Sequence, residues 1–160
     1  MTFAQLKDNQ EKVLSTFRGL SVDTQLALLW YIYEKMGQSI TPAAPGAAEP
    51  PIAEGLYDQV KELSHEEQLE VQRNILRQAD TKIGREYGSL SDNTRLLFWY
   101  RLAQGMEEGA IVPMPENYQL PENARTLLAA VESLSFDQQI TFLRNAVSAG
   151  GAAPKPGAEI

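Results

Sequence analysis

The chain has no cysteine and only one histidine, His65, in 160 residues. Without thiols there is no disulfide framework, no cysteine nucleophile and no thiolate metal site. His65 opens an HEEQ stretch that lacks the second histidine of a zinc-protease helix. No serine sits in a nucleophile-elbow setting, and GQS, APGAA and GGAAP match neither nucleotide-binding fingerprint. Paired acids such as Glu107 and Glu108 read as a solvated face. With no catalytic constellation, the chain reads as a binding protein and not an enzyme. Positive charge is also scarce: 14 Lys and Arg against 21 Asp and Glu give a net charge of −7 and a pI near 4.8. That balance excludes nucleic acid, which needs a basic patch, and disfavours an anionic membrane surface. No apolar run approaches the roughly 20 residues of a membrane helix. The polar opening MTFAQLKDNQEK has no signal-peptide core. A cytoplasmic location is the expectation.

What is present is an ordinary globular composition, 43% hydrophobic and 22% charged, enough for one compact domain or two intertwined halves. Proline and glycine cluster in TPAAPGAAEPP (41–51), VPMPENYQLPEN (112–123) and the tail GGAAPKPGAEI (150–160), which read as loops. Between these segments the apolar spacing is helical. Leu26, Trp30, Tyr33 and Gly37 follow i, i+4, i+7, i+11, with Gly37 placed as a C-cap. Leu96, Trp99 or Tyr100, Ala103 and Met106 repeat the stripe, which ends near Gly105 and Gly109. No long period-two alternation occurs, so the fold class is all-α, with eight or nine helices.

One pattern appears four times: LSVDTQL (20–26), LSHEEQL (63–69), LSDNTRL (90–96) and LSFDQQI (134–140). Each serine is an N-cap, and Ser64 with Glu67 and Ser135 with Gln138 complete capping boxes. The preceding leucine suits a hydrophobic staple, and Asp23, Glu66 and Asp137 sit where the helix dipole favours negative charge. Above this lies a longer repeat: VKELSHEEQLEVQRNIL (60–76) aligns without a gap to VESLSFDQQITFLRNAV (131–147). Two copies of a multi-helix unit, offset by about seventy residues, imply pseudo-twofold packing and not a solenoid.

The aromatic residues concentrate in the same places. Trp30, Tyr31, Tyr33, Phe98, Trp99 and Tyr100 are six of the 13 Phe, Trp and Tyr residues. Core filling is the commoner role of such stripes. The alternative is a stacking surface, because Trp and Tyr offer flat faces and polar tips. Related by pseudo-symmetry, the two stripes would face a common seam, a place suited to a long, apolar, roughly symmetric ligand.

QLALLWYIYEKMG (25–37), TPAAPGAA (41–48), RLLFWYRLAQGMEEG (95–109) and QQITFLRNAV (138–147) resemble the helical N-terminal domain of the orange carotenoid protein family. The length makes the chain most similar to the stand-alone helical carotenoid proteins of cyanobacteria, and the tail reads either as an end or as the start of a linker. The resemblance implies two interleaved four-helix bundles from a discontinuous duplication. It divides the chain into an N-terminal helical arm (1–18), a carotenoid-binding domain (19–149) and a flexible tail (150–160). It implies a non-covalent ketocarotenoid (canthaxanthin, echinenone or 3'-hydroxyechinenone) in a tunnel between the bundles, and a photoprotective role in quenching singlet oxygen. The site residues it implies are Leu26, Trp30 and Tyr33; Asn93, Leu96, Trp99, Tyr100, Ala103 and Met106; and Met114, Ile140 and Arg144. Three positions depart from the family's usual residues: Ala103 for a tunnel glycine, Met114 for isoleucine, and Pro42 for an aliphatic residue near the tunnel mouth. In two-domain relatives the arginine matching Arg144 pairs with the C-terminal domain and is implicated in docking on phycobilisomes. Arg73 is its repeat mate here, and an Arg–Asn pair near both helix ends also suits the C-terminal dipole. The partners implied are therefore a carotenoid, with phycobilisomes or a C-terminal-domain homologue acting as carotenoid donor as further candidates. Chloride binding stays open, and a monomer or weak dimer is expected.

Overall fold

The computed structural model describes the backbone of residues 3–43, 50–115 and 118–148, with side chains over the same spans except 3–10, 36–43 and 50. Among the described residues there are eight α-helices and no strand: α1 (Phe3–Gly19), α2 (Val22–Ala43), α3 (Pro50–Lys61), α4 (His65–Leu76), α5 (Lys82–Gly88), α6 (Asp92–Glu108), α7 (Glu122–Glu132) and α8 (Phe136–Ser148).

The fourfold Leu-Ser pattern builds four tight helix-to-helix corners. At each one the leucine N–H donates back into the end of the preceding helix. The four bonds are Leu20 to the Phe17 carbonyl, Leu63 to Val60, Leu90 to Tyr87 and Leu134 to Val131, at 3.0–3.1 Å. Each serine Oγ then accepts from the backbone N–H three residues on, at Thr24, Glu67, Thr94 and Gln138. The Glu67 and Gln138 side chains accept in return from the Ser64 and Ser135 N–H groups. Two orphan donors are satisfied at each of those helix starts, each cap being worth about 1 kcal/mol. The sixth residue of the pattern completes the corner: Gln25, Gln68 and Arg95 donate to the carbonyls of Leu20, Leu63 and Leu90, and Gln139 to that of Val131.

Helix pairing follows the duplication. α1 packs on α7 and α8 while its counterpart α5 packs on α3 and α4, and α2 rests on α7 as α6 rests on α3. One bundle is thus α1, α2, α7 and α8, and the other is α3, α4, α5 and α6. Because each takes helices from both halves of the chain, neither half closes a core alone. The contacts joining the bundles are α2–α6, α2–α4 and α6–α8, so the pseudo-twofold axis passes between α2 and α6. A single apolar cluster runs through both bundles, from Phe17 and Phe142, which meet edge to face, to Tyr57, Tyr87 and Phe98. The end of α8 is tied down from the α5–α6 corner. There the Tyr87 hydroxyl donates to the Val147 carbonyl and the Arg95 guanidinium to that of Ser148, carbonyls that have no partner within the helix.

Three expectations need correction. Gly37 is no C-cap, because α2 continues through it to Ala43, stopping two residues short of Pro45; helices generally end before the residue preceding a proline. The segment 41–51 is accordingly helical at both ends, and 44–49 lies outside the described residues, as does the tail from 149. Pro42 falls in the last turn of α2, with its side chain outside the described residues. Arg73 and Arg144 do not turn to their own helix ends: each crosses to the start of a neighbouring helix, Arg73 to Asp23 and Arg144 to Asn93. A carboxylate or amide oxygen accepts these donors at closer range than a helix dipole offers. By contrast, Gly109 does cap α6, with a left-handed φ of 82° that favours glycine.

Candidate functional site

Three cavities follow one another along the α2–α6 seam. The largest of the three, about 230 Å³, lies between the start of α2, the middle of α4, residues 112–115 and Tyr118. Leu26, Leu69, Met106, Val112, Met114 and Tyr118 supply most of its wall, and Asp23 and Arg73 stand beside them. The second is a waist of about 10 Å³ that shares Leu26, Gln72 and Met106 with the first and adds Trp30, Tyr33, Trp99 and Ala103. The third, about 70 Å³, shares Trp30, Tyr33 and Ala103 with the waist and reaches Tyr100, Glu34 and Glu107. The wide cavity and the waist are walled mainly by apolar side chains, and the third cavity, with Glu34, Gln104 and Glu107 in its lining, is more polar than apolar.

The waist is apolar because the polar tips of its aromatic residues are engaged elsewhere. The Tyr33 hydroxyl donates to the Leu96 carbonyl across the seam at 2.9 Å. Trp99 Nε1 donates to the Tyr87 hydroxyl at 2.9 Å. Burial pushes the Tyr33 phenol well above its ordinary value, with Tyr87 adding to the effect. Burial also raises Tyr87, so both stay neutral at any physiological pH. Tyr33 and Tyr100 approach across the axis with ring centres 6.2 Å apart. At the wide end, Asp23 and Arg73 neutralise each other at 2.8 Å, and the bond to Asp23 raises the arginine further.

Of the residues implied by the resemblance, Leu26, Trp30, Tyr33, Trp99, Tyr100, Ala103, Met106 and Met114 line this space. Asn93, Leu96, Ile140 and Arg144 line none of the three cavities. Arg144 Nε donates to Asn93 Oδ1 at 3.1 Å, and Leu96 and Ile140 are buried. In the repeat register these four correspond to Asp23, Leu26, Leu69 and Arg73 at the wide end, so they form the pseudo-symmetric opposite end of the seam.

Several lining residues were not singled out in the sequence. Leu69 could have been found, because the gapless repeat sets it opposite Ile140, and Arg73, noted as the repeat mate of Arg144, was not assigned to the site. Gln72 and Tyr118 carry no such signal. Gln68 holds the wide end in shape: it is 1% exposed, its Nε2 donates to the Ala110 carbonyl and its Oε1 accepts from the Val112 N–H. The segment bearing Val112 and Met114 is thereby fastened over α4. Among the described residues no ion pair lines the waist, and its ring faces and aliphatic walls suit a flat, apolar molecule.

A family model described as orange carotenoid protein, N-terminal, matches residues 4–153. An orange carotenoid-binding domain-containing protein of Nostoc sp. is 46% identical over 94% of this chain and 88% of its own length. The orange carotenoid-binding protein of Synechocystis sp. is 41% identical over 92% of this chain, which spans only 47% of that longer protein. The solved red carotenoid protein of Anabaena (Nostoc) sp., binding canthaxanthin, superposes with a TM-score of 0.82 at 48% identity, covering 89% of this chain and 98% of that one.

Proposed function

This chain belongs to the orange carotenoid protein N-terminal family, and from that membership we propose that it holds a ketocarotenoid non-covalently along the α2–α6 seam and protects against photo-oxidation by quenching singlet oxygen. The observation that carries the reading is the apolar wide cavity that continues into a waist where the Tyr33 hydroxyl and Trp99 Nε1 are already engaged. Apart from Gln72, such a wall offers ring faces and aliphatic surface, which suits a polyene. Leu26, Trp30, Tyr33, Trp99, Ala103 and Met106 would enclose the middle of the chain, and Leu69, Met114 and Tyr118 one end ring. Passage through the waist requires it to widen. Met106, unbranched and with three rotatable bonds, is the side chain that yields most cheaply. When bound, the pigment supplies the chemistry, accepting electronic excitation along its conjugated chain and releasing it as heat. The protein's part is to keep water out and hold the pigment in place.

Incubating the apoprotein with canthaxanthin and following singlet-oxygen phosphorescence tests both halves of the proposal. Stoichiometric pigment uptake with faster phosphorescence decay supports it. Failure to take up any carotenoid would overturn it. Docking on phycobilisomes is the alternative for the second half: holoprotein that quenches their fluorescence but leaves singlet oxygen untouched would replace the photoprotective role by that one. A separate carotenoid donor domain and a location in the cytoplasm are consistent with this reading.

A further inference from the structure

Gln72 is the one polar side chain common to the wide cavity and the waist. It is 6% exposed and, among the described residues, its carboxamide makes no hydrogen bond. The two other buried polar side chains behave differently: Gln68 is fully engaged, and Thr94 Oγ1 is bonded to the Ser91 hydroxyl. The amide opens onto the cavities it lines, and a ligand that fills them cuts it off from water; an amide buried without a partner is costly, so native proteins keep few of them. Beside it, Asp23 and Arg73 satisfy each other and leave the amide alone. The duplication makes the exception sharper. In the gapless repeat Gln72 corresponds to Leu143, which is fully buried. The seam is therefore pseudo-symmetric in its aromatic walls and asymmetric in this one polar group.

We propose that Gln72 is a specificity-determining residue: its Nε2 donates a hydrogen bond to the carbonyl oxygen on one end ring of the bound carotenoid, selecting keto-substituted rings and fixing which end enters the wide cavity. The inference rests on the carotenoid reading given above. A site built around an unpaired donor disfavours an analogue lacking the acceptor, because the donor then stays buried and unsatisfied. A molecule ketolated on one ring places that ring at Gln72, and a molecule with no ring oxygen leaves the amide orphaned.

The test compares canthaxanthin, echinenone and β-carotene, which carry two, one and no ring carbonyls, in the wild-type protein and in Gln72→Leu and Gln72→Met. Wild type should prefer echinenone over β-carotene, and the preference should fall about three- to tenfold in either variant, the worth of one neutral hydrogen bond. The carbonyl stretching band of bound echinenone should lie at lower frequency in wild type than in the variants, a shift that altered packing alone would not reproduce. Gln72→Met nearly keeps the side-chain volume and carries the test if Gln72→Leu does not fold. An unchanged preference with an unchanged carbonyl band would overturn the inference while leaving the carotenoid reading intact. Wild-type protein that took up none of the three pigments would defeat both.

Discussion

Two tyrosines buried to the same degree should respond in opposite ways to losing one oxygen. Tyr57 and Tyr87 are both fully buried. The Tyr87 hydroxyl accepts from Trp99 Nε1 and donates to the Val147 carbonyl at the end of α8. Among the described residues the Tyr57 hydroxyl has no hydrogen-bond partner, although its ring lies 4.1 Å beneath the Arg101 guanidinium. Tyr87→Phe keeps the ring and strands a buried N–H and a buried carbonyl, at about 1–3 kcal/mol each. Because Val147 is fully buried and Trp99 is 4% exposed, water replaces neither bond well. A combined loss of about 2–4 kcal/mol lowers the melting temperature of a chain this size by about 10 °C. Tyr57→Phe removes an unsatisfied hydroxyl and leaves its ring contact with Arg101, so its melting temperature should hold or rise. Thermal unfolding followed by far-UV circular dichroism reads both. Equal shifts in the two variants, or a fall of less than about 2 °C for Tyr87→Phe, would refute the assigned hydrogen bonds.

Other consequences follow from the packing. A Cβ on Gly105 would lie 2.4 Å from the Tyr57 hydroxyl and 2.6 Å from Ile111 Cγ1. Gly105→Ala should therefore destabilise by about 1–2 kcal/mol, overpacking exceeding the gain in helix propensity, and Tyr57→Phe should restore part of the loss in a double mutant. Trp99→Ala should cost about 3–5 kcal/mol in urea unfolding, whereas Trp30→Ala, half-buried and lining two cavities, should cost less and lower pigment retention more; equal stability losses would count against this division. Tyr33 and Tyr87 both have folded-state values above the ordinary 10.0. The unfolded chain releases those protons first, so their contribution is complete below pH 10 and declines as pH climbs past it. Phenolate absorbance from these two should appear only together with loss of helix, and early full ionisation of all six tyrosines would contradict their burial.

The starts of α2, α4, α6 and α8 were legible because each follows a serine whose capping depends on neighbours three residues away. The interleaved bundles were legible only through the family resemblance, which set residues 1–18 apart as an arm; the packing of α1 on α7 and α8 was not legible, since it depends on contacts far apart in the chain. Gly37 misled because glycine in a helix interior costs only about 1 kcal/mol relative to alanine, which the packing of α2 against α4, α6 and α7 offsets. At the site, Trp30, Tyr33 and Met106 stood out by composition and spacing. Gln72 did not, because a glutamine amid VQRN looks like any surface helix residue until the fold buries it. The pairing of Arg73 with Asp23 was equally hidden, for nothing local marks a bond spanning fifty residues.

The account turns on whether the seam between α2 and α6 takes up a carotenoid. Titrating apoprotein with canthaxanthin, with visible absorbance and pigment extraction read on the same sample, measures that directly. The account predicts one pigment per chain, a visible band displaced from that of the free carotenoid, and loss of both in Ala103→Phe, which fills the junction of the waist and the third cavity. Full uptake by Ala103→Phe, or none by the wild-type chain, would contradict it.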